Sequence, residues 1–262
     1  MKLDEKSKTL LIENPFCGNS ALTKGLRLED SGASKWAYPK DARGHLGEDK
    51  WRAFTKFVLV REPTLRFLSG ATWSTIVDRN IHLEWGATDG YVEFIADLIV
   101  KDIPNVERTR VLLEYLISSE FKDIPKWFFP QKLWLSAKFD IVIATHNIAE
   151  YFNNTFTDRS VKRGNLIASD PGRDKLFLVT PQISHLVRQL YTDDFDLFEK
   201  LLVWCPSKEK VRLITGYCTT CEKGIKDKSF IPVNLQDYDE GEVTSVKPKS
   251  KRKVKKSSTK SD

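Results

Sequence analysis

Residues 57–70 read FVLVREPTLRFLSG, and the fold turns on the change within them: an apolar run, Phe57 to Val60, stops abruptly at Arg61, Glu62 and Pro63. The β-branched and aromatic content of TKFVLV, residues 55–60, predicts a strand. Pro63 suits the first turn of a helix, where its missing N–H costs nothing. Leu65, Leu68, Thr72, Trp73 and Ile76 then recur at helical spacing through residues 64–80. An arginine at such a junction offers a planar, bidentate cation at a strand end, a position suited to a phosphate. On that helix Arg66 and Ser69 are three residues apart and share a face. A salt bridge for Arg61 and an ordinary helical role for Ser69 are the alternative.

The pattern extends in both directions. Upstream, KTLLIEN (8–14) reads as a buried strand that ends at the turn-forming pair Asn14-Pro15. FCGNS (16–20) is a loop, and ALTKGLRLED (21–30) begins a helix with Ser20 in the cap position. Backbone N–H groups of such a loop, together with the helix N-terminus, can cradle an anion. The spacing is not that of a Walker A loop, and an ordinary strand-to-helix turn is the alternative. Residues 31–50, rich in Gly, Ser, Pro and charge, read as a loop. Downstream, helices are expected at about 89–101 and 105–119, before the Pro- and aromatic-rich stretch FKDIPKWFFPQKLWL (121–135). FDIVIAT (139–145) predicts a third strand and KLFLVT (175–180) a fourth. PQISHLVRQLYTDDFDLFEKLL (181–202) predicts a long amphipathic helix with a break near Thr192. Strands alternating with helices imply an α/β fold with a mainly parallel sheet flanked by helices.

The chain has 262 residues, 40% hydrophobic and 30% charged, which suits one large domain followed by a tail. The domain is expected over 1–221 and an acidic-then-basic, disordered tail over 222–262. The formal net charge of +6 is carried by that tail. Residues 247–262 hold eight Lys or Arg against one Asp, which leaves 34 basic and 35 acidic residues in the remainder. A near-neutral body argues against a nucleic-acid-binding fold, although the tail can contact anionic partners. No apolar run approaches the roughly 18 residues of a membrane span, and the first ten residues are polar, so a cytoplasmic chain without a span or signal is expected. The four cysteines, Cys17, Cys205, Cys218 and Cys221, are too few and uneven for a disulfide framework. Cys218 and Cys221 form CTTC, half a zinc site with no second pair, so no metal is expected.

Taken together, VREPTLRFLS resembles the 3′-phosphate-binding signature of the sulfotransferases, in particular the carbohydrate sulfotransferases, whose pattern is close to F-x-x-V-R-[DN]-P-x-x-R-x-x-S. The resemblance implies that Arg61 and Ser69 bind the 3′-phosphate of 3′-phosphoadenylyl sulfate (PAPS), with Arg66 matching the second arginine and Glu62 standing where the family has Asp or Asn. NPFCGNSAL resembles the family's 5′-phosphosulfate loop, P-K-x-G-x-[TS]-S. Pro15, Gly18 and Ser20 match, Cys17 and Asn19 fall within the loop, and Phe16 takes the place of the lysine that neutralises charge on the bridging oxygen. WFFPQKLWL is similar to H-W-x-P-Q through Pro130 and Gln131. HLVRQLYTDDFDLFEKL is similar to Y-x-x-D-F-x-x-F through Tyr191, Asp194, Phe195 and Phe198. These matches span residues 9–200 in the family's order and imply its P-loop-NTPase-like sulfotransferase fold.

Sulfuryl transfer needs an anionic donor held in line with a hydroxyl and a base for that hydroxyl's proton. Of four histidines, His45, His82, His146 and His185, the resemblance favours His45, which lies between the two donor motifs. Glu48 and Asp49 are alternative bases, and Lys24 is a candidate substitute for the missing lysine. The acceptor implied by the resemblance is a hydroxyl on a carbohydrate, and the missing signal suggests a bacterial or viral setting. The aromatic residues Trp127, Phe128 and Phe129 line either the acceptor side or the core. The competing expectation is a nucleotide- or glycan-binding protein that keeps the fold without catalysis, because fold does not guarantee function.

Overall fold

Five of the six residues of Thr55–Val60 are buried, as are all four of Thr9–Ile12. Strands that bury both faces belong at the centre of a sheet. The computed structural model describes residues 1–33, 36–137, 139–145, 176–200, 202–204 and 210–212, and it places these two strands side by side. With β1 (Lys2–Asp4), β2 (Thr9–Ile12), β3 (Glu29–Asp30), β4 (Thr55–Val60) and β5 (Ile141–Ala144), the sheet order is β3-β1-β2-β4-β5. β2 runs parallel to β4 with Thr9 opposite Thr55, and β4 runs parallel to β5 with Phe57 opposite Ile141. The chain is therefore a mixed α/β fold with a multi-stranded sheet flanked by helices.

The sheet is parallel only across β2, β4 and β5. β1 pairs antiparallel with both β2 and β3, forming an antiparallel side of the sheet where the sequence suggests only a polar start and a helix over 21–30. Lys2 and Asp4 alternate around Leu3 in too short a span to register as a strand. Among the described residues of KLFLVT, 176–180 are irregular and form no strand. Their main chain is instead satisfied from a helix, as Leu178 N donates to Thr109 Oγ1 (2.7 Å) and Arg108 Nη1 donates to Leu176 O (3.5 Å). The region read as a loop over 31–50 contains two short helices, α2 (Pro39–Leu46) and the start of α3 (Glu48–Ala53), hinged at Gly47 with φ 79°. Their few buried side chains, among them Ala42 and Trp51, give too sparse an apolar stripe to be seen in sequence.

Other elements fall where the spacing puts them. α1 (Asn19–Leu26) starts one residue before the expected Ser20 cap. α4 (Pro63–Ser74) is shorter than expected, because Asp78 caps a separate α5 (Arg79–Glu84) by accepting from Ile81 N. α6 (Asp89–Val100) and α7 (Asn105–Ser118) follow as expected. The aromatic stretch folds into three 3-10 turns that bury Trp127, Phe128 and Trp134. The C-terminal helix is broken at Tyr191 into α8 (Ser184–Leu190), which packs against α7 and α4, and α9 (Thr192–Lys200). A further pair of strands, β6 (Leu202–Trp204) and β7 (Lys210–Arg212), is antiparallel. His146, Cys205, Cys218, Cys221 and the tail from 222 lie outside the described residues. No helix among the described residues is long and apolar enough to cross a membrane.

Candidate functional site

Because β2, β4 and β5 are parallel, the segments that leave their C-terminal ends come together at one edge, where ligands of open α/β sheets bind. The segment after β2 is fixed by buried polar bonds. Asn14 Nδ2 donates to Leu59 O (2.9 Å), and Asn19 Nδ2 donates to Asn14 O (2.7 Å). Thr145 Oγ1, just beyond β5, lies 2.7 Å from Cys17 O and 3.1 Å from Val60 O, so its proton is shared between the loop and β4. Phe16 (φ 58°) and Gly18 (φ 87°) both take positive φ. For a residue with a Cβ this conformation costs roughly 1–2 kcal/mol. The Phe16 ring offsets that cost by packing 5.8 Å from the Trp36 ring and 6.2 Å from the Trp73 ring. Gly70 admits this arrangement, since a Cβ there would stand 3.3 Å from Phe128 and 3.5 Å from Phe16.

The segment after β4 carries the second motif. Arg61 Nη1 donates to Ser69 Oγ (2.6 Å) and to Phe16 O (3.1 Å), so residues eight apart in sequence meet beside the first loop. Glu62, in the place of the shorter Asp or Asn, still caps α4, its carboxylate accepting from Leu65 N (2.8 Å). Arg66 is directed into the core. It is 1% exposed, and it turns inward to donate from Nε to Pro15 O (3.1 Å) and from Nη2 to Trp127 O (3.2 Å).

Gln131 and Asp194 complete the arrangement. Gln131 Oε1 accepts from Arg61 N (2.9 Å), Asn14 Nδ2 (3.3 Å) and Cys17 Sγ (3.2 Å), and its Nε2 donates to Arg61 O (2.7 Å). Asp194 accepts from the main-chain N–H of Gln131 (2.8 Å) and of Lys132 (3.1 Å), with Oδ2 4.0 Å from Arg66 Nη1. Burial raises the Asp194 carboxyl above its ordinary value, opposed by Arg66 and the two amides. The sequence carried a signal for both residues only through the family pattern. Cys17 is fully buried, and burial pushes its thiol up to about 12, so it stays protonated and is no nucleophile. Only its main chain can face a ligand. Pro15, Gly18, Asn19 and Ser20 all lie in or beside this loop, with Pro15 O committed to Arg66 and Ser20 exposed.

His45 stands apart on α2, exposed, with Nε2 3.0 Å from Ser31 O. A carbonyl only accepts, so Nε2 is the donor in that bond, and in the neutral ring the lone pair is then on Nδ1. His45 lines a cleft of about 360 Å³ together with Trp36, Tyr38, Asp41 and Lys126. Trp36 is the link to the loop after β2 through its contact with Phe16. The other candidate bases are less suitable. Glu48 is held below its ordinary value by hydrogen bonds to Arg43 first and also to Arg52, both at 2.6 Å. Asp49 is exposed on α3 and His185 on α8, while His82 is buried in the core. Trp127 and Phe128 are also core residues, and Phe129 is half-buried. The side chains of Lys24 and Phe198 lie outside the described set. Among the described residues no three His, Cys, Asp or Glu side chains cluster as metal ligands would.

No family model matches the chain, and neither does any curated protein or solved structure compared with it.

Proposed function

We propose that the chain is a sulfotransferase on a P-loop-NTPase-like scaffold, moving a sulfuryl group from PAPS to a hydroxyl, with a carbohydrate as the acceptor the sequence resemblance favours. The observation that carries this reading is the Arg61 to Ser69 contact at the end of β4, set against the loop after β2. A guanidinium and a hydroxyl within hydrogen-bond reach of one another make a donor pair for one terminal phosphate. The 5′ side of the donor then lies along the Pro15 to Ser20 loop, where main-chain N–H groups and the start of α1 favour negative charge. In the cleft, His45 Nδ1 takes the acceptor proton as the new S–O bond forms, and the bond from sulfur to the 5′-phosphate oxygen breaks. Proximity and anion stabilisation supply the catalysis.

One observation favours a second reading, binding without turnover. Phe16 occupies the lysine position of the resembled loop, and its ring is packed between Trp36 and Trp73. No cation from that position reaches the bridging oxygen.

Calorimetric titration with adenosine 3′,5′-bisphosphate tests the donor site. The wild type is expected to bind in the micromolar range, and Arg61→Ala to lose at least about 2 kcal/mol of binding, the scale of a charge-assisted hydrogen bond. No binding by either protein would refute both readings. Binding by the wild type without bisphosphate release from PAPS, across a panel of hydroxylated sugars, would select the second.

A further inference from the structure

Gln131 is 2% exposed, and its one amide group joins three separate segments. It holds both the N–H and the C=O of Arg61, it accepts from Asn14, and it accepts from the Cys17 thiol. Its own main chain is held by Asp194 of α9, which faces Arg66 of α4, which in turn donates to Pro15 O. The hydrogen bonds and the Asp194 to Arg66 contact form a closed circuit through the loop after β2, the start of α4, α9, the 3-10 turn at Gln131 and back to Arg61. Every group in it except Arg61 is buried, so the circuit has little freedom to adjust.

We infer that Gln131 is a positioning residue: its carboxamide sets the spacing between the two anion-binding segments, and Asp194 sets the position of Gln131. The Arg61 guanidinium reaches Ser69 and Phe16 O only if the Arg61 main chain is correctly placed, and Gln131 is bonded to both polar atoms of that main chain. The role rests on the donor-site reading for the ligand that profits from it.

Two substitutions change the carboxamide in different ways. Gln131→Asn withdraws it by one methylene. Gln131→Glu keeps the shape but sets an oxygen against Arg61 O. Each is to be compared with the wild type and with Leu112→Ala, a core change on α7, in calorimetric binding of adenosine 3′,5′-bisphosphate and in exchange of the Arg61 amide followed by NMR. Both Gln131 variants are expected to bind about tenfold or more weakly, as for one lost hydrogen bond to a charged group, and to exchange the Arg61 amide faster than the wild type. Leu112→Ala is expected to lower the melting temperature and leave affinity within about twofold, because distant sites act independently. Unchanged affinity in both Gln131 variants, or an equal loss in Leu112→Ala, overturns the inference. If the wild type does not bind the bisphosphate, the donor reading fails, and Arg61 amide exchange then decides the clamp alone. Faster exchange confined to Arg61 supports it, and unchanged exchange overturns it.

Discussion

His82 shows how a single side chain couples to pH. It is 2% exposed, its Nε2 donates to Ser74 O (3.1 Å), and its Nδ1 is buried with no hydrogen-bond partner. Burial first of all lowers its pKa below the ordinary 6.5, while the Ser74 carbonyl and Asp78 act in the other direction. Below pH 6.5 the unfolded chain therefore binds more protons than the folded one. Its stabilising contribution is complete above 6.5 and is lost as pH falls toward the depressed folded value. A melting curve measured across this range is expected to fall on the acid side, and His82→Gln, which does not titrate, to be flatter there. Equal slopes for the two proteins would show that His82 is not the coupled group.

At the scale of elements, α4 is the strut on which the candidate site is mounted, since Arg61 precedes it and Ser69 lies on it. Its start depends on Pro63 in the first turn and on the Glu62 carboxylate bonded to Leu65 N. Glu62→Ala is expected to cost about 1 kcal/mol in urea unfolding, the usual worth of an N-cap. Bisphosphate affinity should weaken with it if the cap also fixes the Arg61 junction. The aromatic contacts of Phe16 and Phe128 around Gly70 hold the other side of α4.

For the whole molecule, the Arg66 to Asp194 contact ties the C-terminal helix to the first loop across the end of the sheet. Arg66 lies over the rings of Trp134 (5.8 Å) and Tyr191 (5.7 Å), so removing Asp194 strands a buried cation among aromatic residues. Asp194→Ala is expected to lose about 3–5 kcal/mol in equilibrium unfolding, the range for breaking one partner of a buried pair. A loss below about 1 kcal/mol would place the pair in the class of solvent-screened contacts.

The sequence by itself determined the three parallel strands, α4, α6, α7 and the break near Thr192, because each is written in local apolar periodicity and in Pro or charged punctuation. It also singled out Arg61 and Ser69, whose eight-residue separation is bridged by a strand end and two helical turns. It did not determine the antiparallel edge formed by β1, where three residues are too few for alternation to show, nor the irregular course of residues 176–180, whose backbone is satisfied by α7. Only the tertiary structure decided that Arg66 serves the core, that Cys17 is buried against Gln131, and that the proton of His45 sits on Nε2. Those outcomes depend on which backbone carbonyl or carboxamide oxygen comes within hydrogen-bond reach. Such partners are fixed by packing between segments 14 to 114 residues apart, which no local spacing records.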